Sequence, residues 1–207
     1  MLPDKTTAEK ELEIAGHLNP GPWTDHSLNA GRAAKYIAEK CANMDAEKAY
    51  VLGVLHDIGR RVGIVNVPKH VYKGYVYSME KGWDEVAKIC MTHSYPIKEK
   101  DFVEEVQDEE LFIKDYIVNC TYDDYDRLIQ LCDSLALDGG FCMLEKRFID
   151  VARRYGVSST SVSRWNTTFG IKEYFEKQMK CSIYDVLPHV KETTFMDIPV
   201  WKQPPIK

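Results

Sequence analysis

Residues 49–61, AYVLGVLHDIGRR, are the stretch of sequence that decides the fold. Up to Leu55 the residues are apolar on every side of a helix, which is typical of a central, buried helix. The stretch then runs directly into His56 and Asp57, although an ionised carboxylate costs several kcal/mol to bury without a partner. These two residues alone leave two structural explanations open: a buried Asp–His hydrogen bond, or a helix end that reaches the surface at Gly59.

Length and composition indicate an ordinary soluble globular protein. The chain has 207 residues, of which 44% are hydrophobic and 29% charged, and its net charge of -5 gives no general attraction to nucleic acid or anionic membrane. No apolar run approaches the roughly 20 residues that span a bilayer, and the N-terminus has no signal-peptide core. The six cysteines form no CxxC pair, which favours reduced thiols. We therefore expect a cytoplasmic protein.

The pattern of breakers and capping residues predicts an all-α protein with no convincing alternating strand. We expect a single domain, 1–207, with a core at about 20–140 and a helical C-terminal extension at about 144–190. Segment 97–108 is predicted as a loop and the tail PVWKQPPIK as extended or mobile. The predicted helices are 6–17, Thr24 or Asp25 to Ala42, Asp45 to about Gly59, Asn66 to Lys81–Gly82, Asp84 to before Pro96, 109–121, 123–138, 144–155 and 160–180.

Several metal-ligating residue types lie on inward faces of five of these helices. The six groups are His26, His56, Asp57, His70, His93 and Asp133. Taken singly, each is more often a satisfied core or boundary residue than a ligand. Taken together they can converge on a metal, because a divalent cation offsets the desolvation of carboxylates and keeps imidazoles neutral. Imidazole and carboxylate ligands suit Fe, Mn, Co, Ni or Zn.

The order His26, His56-Asp57, Asp133 resembles the HD superfamily of metal-dependent phosphohydrolases. Three segments carry the local resemblance: NPGPWTDHSLNAGRAAKYIAE at 19–39, AYVLGVLHDIGRR at 49–61 and LIQLCDSLA at 128–136. The resemblance spans about residues 20–140. It implies an all-α HD-domain helical bundle with a metal site in its core.

His70 and His93 place the chain near the members of this superfamily with two further histidines between the HD pair and the last aspartate. Those members hold two metals and include HD-GYP cyclic-dinucleotide phosphodiesterases, diadenosine tetraphosphate hydrolases and mixed-valent di-iron oxygenases. The resemblance implies that Asp57 bridges two divalent transition metal ions, Fe or Mn first, with Ni, Co or Zn open. His26, His56 and Asp133 would complete one site, and His70 and His93 the other. A single-metal site remains an alternative.

The chain departs from both hydrolase subfamilies at their distinctive motifs. His93-Ser94 stands where HD-GYP proteins have paired histidines, and Lys73-Gly74-Tyr75 is not a GYP motif. The stretch CDSLALDGG, 132–140, does not reproduce the sequence that follows the last aspartate in the diadenosine tetraphosphate hydrolases. The substrate of neither subfamily can therefore be carried over.

The expected activity is hydrolysis of a nucleotide or another small phosphorylated molecule by a metal-activated water. Asp57 is the predicted catalytic carboxylate, and Arg60, Arg61 and Lys73 are predicted phosphate contacts, since Arg suits bidentate phosphate binding. A di-iron oxygenase and a non-catalytic metal-containing sensor remain alternatives, because the ligand types do not separate them.

A third class of function, DNA binding, has a weaker basis in the sequence. Residues 152–165, ARRYGVSSTSVSRW, superficially resemble a helix-turn-helix, which requires a basic surface to bind DNA. The acidic chain argues against that use, and two helices bordering the core explain the pattern better. The predicted partner is thus a small phosphorylated molecule rather than a membrane or nucleic acid, and a homodimer is left open.

Overall fold

The structure is a computed structural model that describes residues 1–98 and 108–195. In this part of the chain it consists of eleven α-helices and a two-stranded antiparallel sheet, which confirms the predicted all-α fold. Residues 99–107 of the predicted loop and the tail PVWKQPPIK lie outside the described residues. The elements are α1 Lys5–Leu18, α2 Trp23–Ala38, α3 Ala46–Leu55, α4 Val67–Glu80, α5 Asp84–Thr92, α6 Asp108–Asn119, α7 Asp124–Leu135, β1 Ala136–Leu137, β2 Gly140–Phe141, α8 Leu144–Tyr155, α9 Ser161–Met179, α10 Ile183–Val186 and α11 Val190–Phe195.

Helix α3 is the central element, as its apolar sequence predicts. Every residue from Ala49 to Leu55 is buried, and Asp45 caps the helix by accepting hydrogen bonds from two first-turn amides. Helix α2 crosses α3 at a very short distance: a Cβ added to Gly53 would lie 2.6 Å from the Cα of Gly31. Because two glycines meet at the crossing, the two helices that carry His26 and His56 approach backbone to backbone.

The HD pair lies in the turn that follows α3. Asp57 leads into a short 3-10 helix, Ile58–Val62, which packs on α4. At the contact, a Cβ on Gly59 would lie 1.9 Å from the carbonyl oxygen of His70 and 2.4 Å from the amide nitrogen of Gly74. Gly59 therefore allows the HD turn to lie directly against the helix that carries His70.

Three predicted helix ends are wrong. Helix α3 ends at Leu55 rather than near Gly59, because the chain continues through the HD pair into a 3-10 helix. Helix α2 begins at Trp23 without a side-chain cap from Thr24 or Asp25, and it ends at Ala38 rather than Ala42 because the chain turns there. Helix α7 ends at Leu135 rather than at residue 138. There the chain enters β1, which pairs with β2 and whose carbonyls accept hydrogen bonds from α2 side chains. The contacts with α2 join residues more than 100 positions apart, so local propensity does not show them.

The C-terminal extension packs against α7 through α8 and α9. The segment that resembles a helix-turn-helix consists of the end of α8, a loop and the start of α9, and Phe148 of α8 stacks on Trp165 of α9 with ring centroids 5.7 Å apart. Helices α10 and α11 were not predicted, because four and six residues are too few for a clear helical period. Among the described helices none is both long and apolar enough to span a bilayer.

Candidate metal centre

Three of the predicted ligands meet where α2, the end of α3 and α7 converge. The Nε2 atom of His26 lies 2.9 Å from Oδ1 of Asp133, and Nε2 of His56 lies 3.7 Å from the same oxygen. These three residues present one ligand atom each to a common point, and we call them the first group. A single cation between them would have two imidazole nitrogens and one carboxylate oxygen.

A second group forms at the opposite side of the HD turn. Oδ1 of Asp57 lies 3.1 Å from Nε2 of His70 and 3.4 Å from Nε2 of His93, and the two imidazole nitrogens are 3.3 Å apart. The other oxygen of Asp57 lies 3.9 Å from Nε2 of His56, which belongs to the first group. The Asp57 carboxylate thus lies between the groups and presents one oxygen to each.

All four histidines are oriented in the same way. In each, Nδ1 lies within hydrogen-bonding distance of a backbone carbonyl, so a neutral ring donates from Nδ1–H and keeps the lone pair of Nε2. Every Nε2 faces the cluster, as metal ligation requires. The pairs are His26 with Ala136 at 3.1 Å, His56 with Gly53 at 2.7 Å, His70 with Asn66 at 3.2 Å and His93 with Ile89 at 3.1 Å.

The donor set fits a divalent metal ion. Nε2 of His56 and Oδ1 of Asp57 are buried and have no partner in hydrogen-bond geometry within the described chain, although unpaired buried polar atoms are costly. With Nδ1 protonated on both rings, the Nε2 atoms of His70 and His93 present lone pairs to each other at 3.3 Å. A cation removes both problems, because it binds the lone pairs and balances the carboxylates.

Comparison with known proteins agrees with this geometry. The family model described as "HD domain" matches residues 23–138, which is more than half of the chain. The chain belongs to the HD-domain family. The match runs from the start of α2 to just beyond β1 and includes all six residues of the cluster. No curated protein and no solved structure matches the chain significantly.

Membership of the HD-domain family accounts for the buried charges. Family members are all-α proteins of a metal-dependent, hydrolase-type superfamily, and the buried His/Asp cluster of this chain fits such a site. The sequence-based assignment to the family and to its fold is therefore confirmed. The number of ions, their identity and the role of each residue belong to the proposal below.

We call the six residues of the two groups the HD centre. Within it, the pKa values of both carboxylates are shifted downward, whereas those of the imidazoles are not all shifted in one direction. Burial acts to raise the pKa of Asp57, but the charges of His70 and His56 outweigh it and hold that pKa well below its usual range. The pKa of Asp133 is likewise low, because His26 and His56 outweigh burial. Burial lowers the pKa of His93, whereas at His56 the charges of Asp57 and Asp133 outweigh burial and raise the pKa. Both carboxylates are thus ionised at neutral pH.

Solvent reaches the HD centre from the side of the first group. The side chains of His56, Asp57, His70 and His93 are buried, whereas those of His26 and Asp133 are 13% and 28% exposed. A small molecule would therefore approach the first group and meet Asp133 before it meets the second group.

Only one of the three predicted phosphate-contacting cations touches the cluster. The Nε–H of Arg60 donates to Oδ2 of Asp57. The guanidinium of Arg61 lies 3.8 Å from the ring centroid of Tyr77, with Nη1 3.6 Å from a Glu11 oxygen.

The third cation, Lys73, pairs with Glu109 at 3.1 Å. Among the described contacts, neither Arg61 nor Lys73 touches the HD centre. A catalytic role for these two residues therefore rests on the sequence alone.

The carbonyls that orient the histidines were not identified from the sequence. Three of them belong to residues three or four positions before the histidine, namely Gly53, Asn66 and Ile89. A histidine at the end or the first turn of a helix can reach such a carbonyl, so the spacing was a usable signal. The fourth, Ala136, lies 110 positions from His26 and becomes visible only in the folded chain.

Proposed function

We propose that this HD-domain protein is a metal-dependent phosphohydrolase that binds two divalent ions and acts on a nucleotide or another small phosphorylated molecule. The position of Asp57 carries the proposal, since its two oxygens face two separate groups of imidazole ligands. A carboxylate with imidazole ligands on both sides could contribute one oxygen to each of two closely spaced metals, which are the sites that activate water for phosphoryl transfer. A one-metal site would not explain the second group.

The proposed ligand assignment follows the two groups. His26, His56 and Asp133 would hold the ion near the open side, His70 and His93 would hold the buried ion, and Asp57 would contact both. We place Fe or Mn first, with Co, Ni and Zn as further options, because imidazole suits Fe, Ni and Zn and carboxylate suits Mn. When bound, the ions supply a water activated to hydroxide and stabilise charge on the phosphoryl group.

The protein's own side chains would orient the substrate. Arg60 is 34% exposed on its side chain, and only its Nε is used by Asp57; its two terminal nitrogens have no hydrogen-bond partner in the described part of the chain. Those nitrogens can donate to phosphate oxygens, as the planar guanidinium often does. The Asp57 carboxylate would hold the guanidinium of Arg60 beside the metals. The negative charge of a bound phosphate would then face a positive group that is already in place.

Replacing Arg60 with alanine tests this role. We expect kcat/KM for the phosphorylated substrate to fall about 10²-fold, as when one preorganised donor is removed from a developing oxyanion. Metal content should stay at the wild-type level, because Arg60 supplies no ligand. Enzyme assays with metal analysis on the same samples measure both, and Arg60→Lys is the control that keeps the charge. Unchanged kcat/KM in Arg60→Ala would remove Arg60 from the mechanism.

Phosphate release is the direct test of the proposed activity. The full chain would be loaded with Mn²⁺, or anaerobically with Fe²⁺, and assayed against nucleotides, dinucleotides and sugar phosphates, with Asp57→Ala as the inactive control. We expect metal-dependent release from at least one class. No release from any class with two ions bound would overturn the proposal. Oxygen uptake that depends on reduced iron would then identify an oxygenase, and its absence would favour a sensor.

A further inference from the structure

A set of buried polar side chains joins the end of α5 to α7, outside the metal cluster itself. The set, which we call the α5–α7 junction, contains Thr92 on α5 and Asp126 and Gln130 on α7, all buried. Helix α5 ends at Thr92, and His93 follows at once as its C-terminal cap. Helix α7 continues from Gln130 to Asp133 in less than one turn. The junction therefore lies next to one ligand from each of the two groups.

The hydrogen bonds of the junction add a second donor to two carbonyls at and just after the end of α5. The last carbonyls of a helix have no partner inside the helix. The side-chain amide of Gln130 donates to the carbonyl of Thr92 at 2.9 Å and to that of Tyr95 at 3.3 Å. The hydroxyl of Thr92 donates to Oδ1 of Asp126 at 2.7 Å. These bonds attach the chain on both sides of His93 to α7.

The amide oxygen of Gln130 is also used. It accepts a hydrogen bond of 3.0 Å from Arg127, whose same nitrogen donates to the carbonyl of Pro96 at 2.8 Å. Gln130 is 3% exposed, and both ends of its amide are bonded, so its orientation is fixed. Through these hydrogen bonds, the side chain of Gln130 keeps residues 92–96 in a fixed position relative to α7.

We propose that Gln130 is a positioning residue of the metal centre. By holding the end of α5 against α7 it sets the position of His93 in the second group relative to Asp133 in the first, and so sets the spacing of the two ion sites. The inference rests on the two-ion proposal above. Groups that hydrogen-bond directly to metal ligands commonly contribute 10–100-fold to metal affinity. Gln130 acts one step further out, through the backbone on either side of His93, so we expect an effect at the lower end of that range.

Gln130→Met is the appropriate variant, because methionine keeps the length of the side chain and loses its donors. The variant should fold, since each carbonyl keeps a second donor. The backbone amide of Tyr95 donates to the carbonyl oxygen of Thr92 at 3.1 Å. The hydroxyl of Tyr122 donates to the carbonyl oxygen of Tyr95 at 2.8 Å. The matched control is Gln178→Met on α9, outside the junction.

The experiment is a Mn²⁺ titration of the full chain, followed by electron paramagnetic resonance of the loaded protein. We expect two ions with a spin-coupled signal in the wild type and in Gln178→Met. In Gln130→Met we expect the affinity for the second ion to fall about 10-fold and the coupled signal to weaken. Circular dichroism of each variant checks the fold.

A second pair of variants tests the same junction independently. Thr92→Val removes the hydroxyl that Asp126 accepts from, whereas Thr92→Ser keeps it, so only the valine variant should weaken the second ion. Two ions with wild-type affinity and signal in Gln130→Met would overturn the inference and leave the proposed function intact. A wild-type protein that binds fewer than two ions would overturn both.

Discussion

Asp57→Ala is expected to lose both metal ions and all metal-dependent phosphate release. Each oxygen of Asp57 faces one ligand group, so the substitution removes a ligand from both proposed sites at once. It also removes the negative charge that lowers the cost of bringing a divalent cation into a buried site. We expect less than a tenth of the wild-type metal content and no measurable turnover.

Metal analysis after loading and desalting measures the first effect, and the phosphate-release assay measures the second. Asp150→Ala is a control on another helix, because Asp150 on α8 likewise pairs with an arginine, Arg154, at 2.8 Å, and its side chain is 18% exposed. The control should retain both ions. Full activity of Asp57→Ala without metal would contradict the proposed mechanism.

The sequence alone predicted which residues form the HD centre because burial of polar groups is visible in helical patterns. His56 and Asp57 follow an apolar helix, and Asp133 lies among apolar residues, so each conflicts with its surroundings unless it has a partner. His93 follows the buried face of α5 in the same way. Conflicts of this kind between a residue and its local pattern are typical of functional sites.

Other features of the site depend on contacts that sequence spacing does not encode. Arg60 and Arg61 are neighbours with the same charge, yet one contacts Asp57 and the other stacks on Tyr77, because the 3-10 turn directs them to different sides. The premature end of α7 also depends on long-range contacts, through which Ala136 orients His26. Local propensity could predict neither arrangement, since both are set by packing between distant segments.

Gly59→Ala is expected to cause the largest loss of stability among simple substitutions in the HD turn. The added Cβ would lie 1.9 Å from the carbonyl oxygen of His70 and 2.4 Å from the amide nitrogen of Gly74. Both neighbours are backbone atoms of α4, so no side-chain rotation can relieve the overlap and the helix itself must shift. Overpacking typically costs 1–3 kcal/mol, and we expect about 3 kcal/mol or more here.

The free energy of unfolding of the metal-free protein, from urea denaturation, measures this effect without a contribution from metal binding. Gly170→Ala on α9 is the control of opposite sign. Apart from its chain neighbours and the nearby backbone of its own helix, a Cβ at Gly170 meets no described atom within 4 Å, so alanine should stabilise the helix by up to about 1 kcal/mol. If Gly59→Ala were as stable as the wild type, the direct contact between the HD turn and α4 would be wrong. Because α4 carries His70, a shift of that helix should also weaken metal binding in the second group, which a Mn²⁺ titration of the same variant would detect.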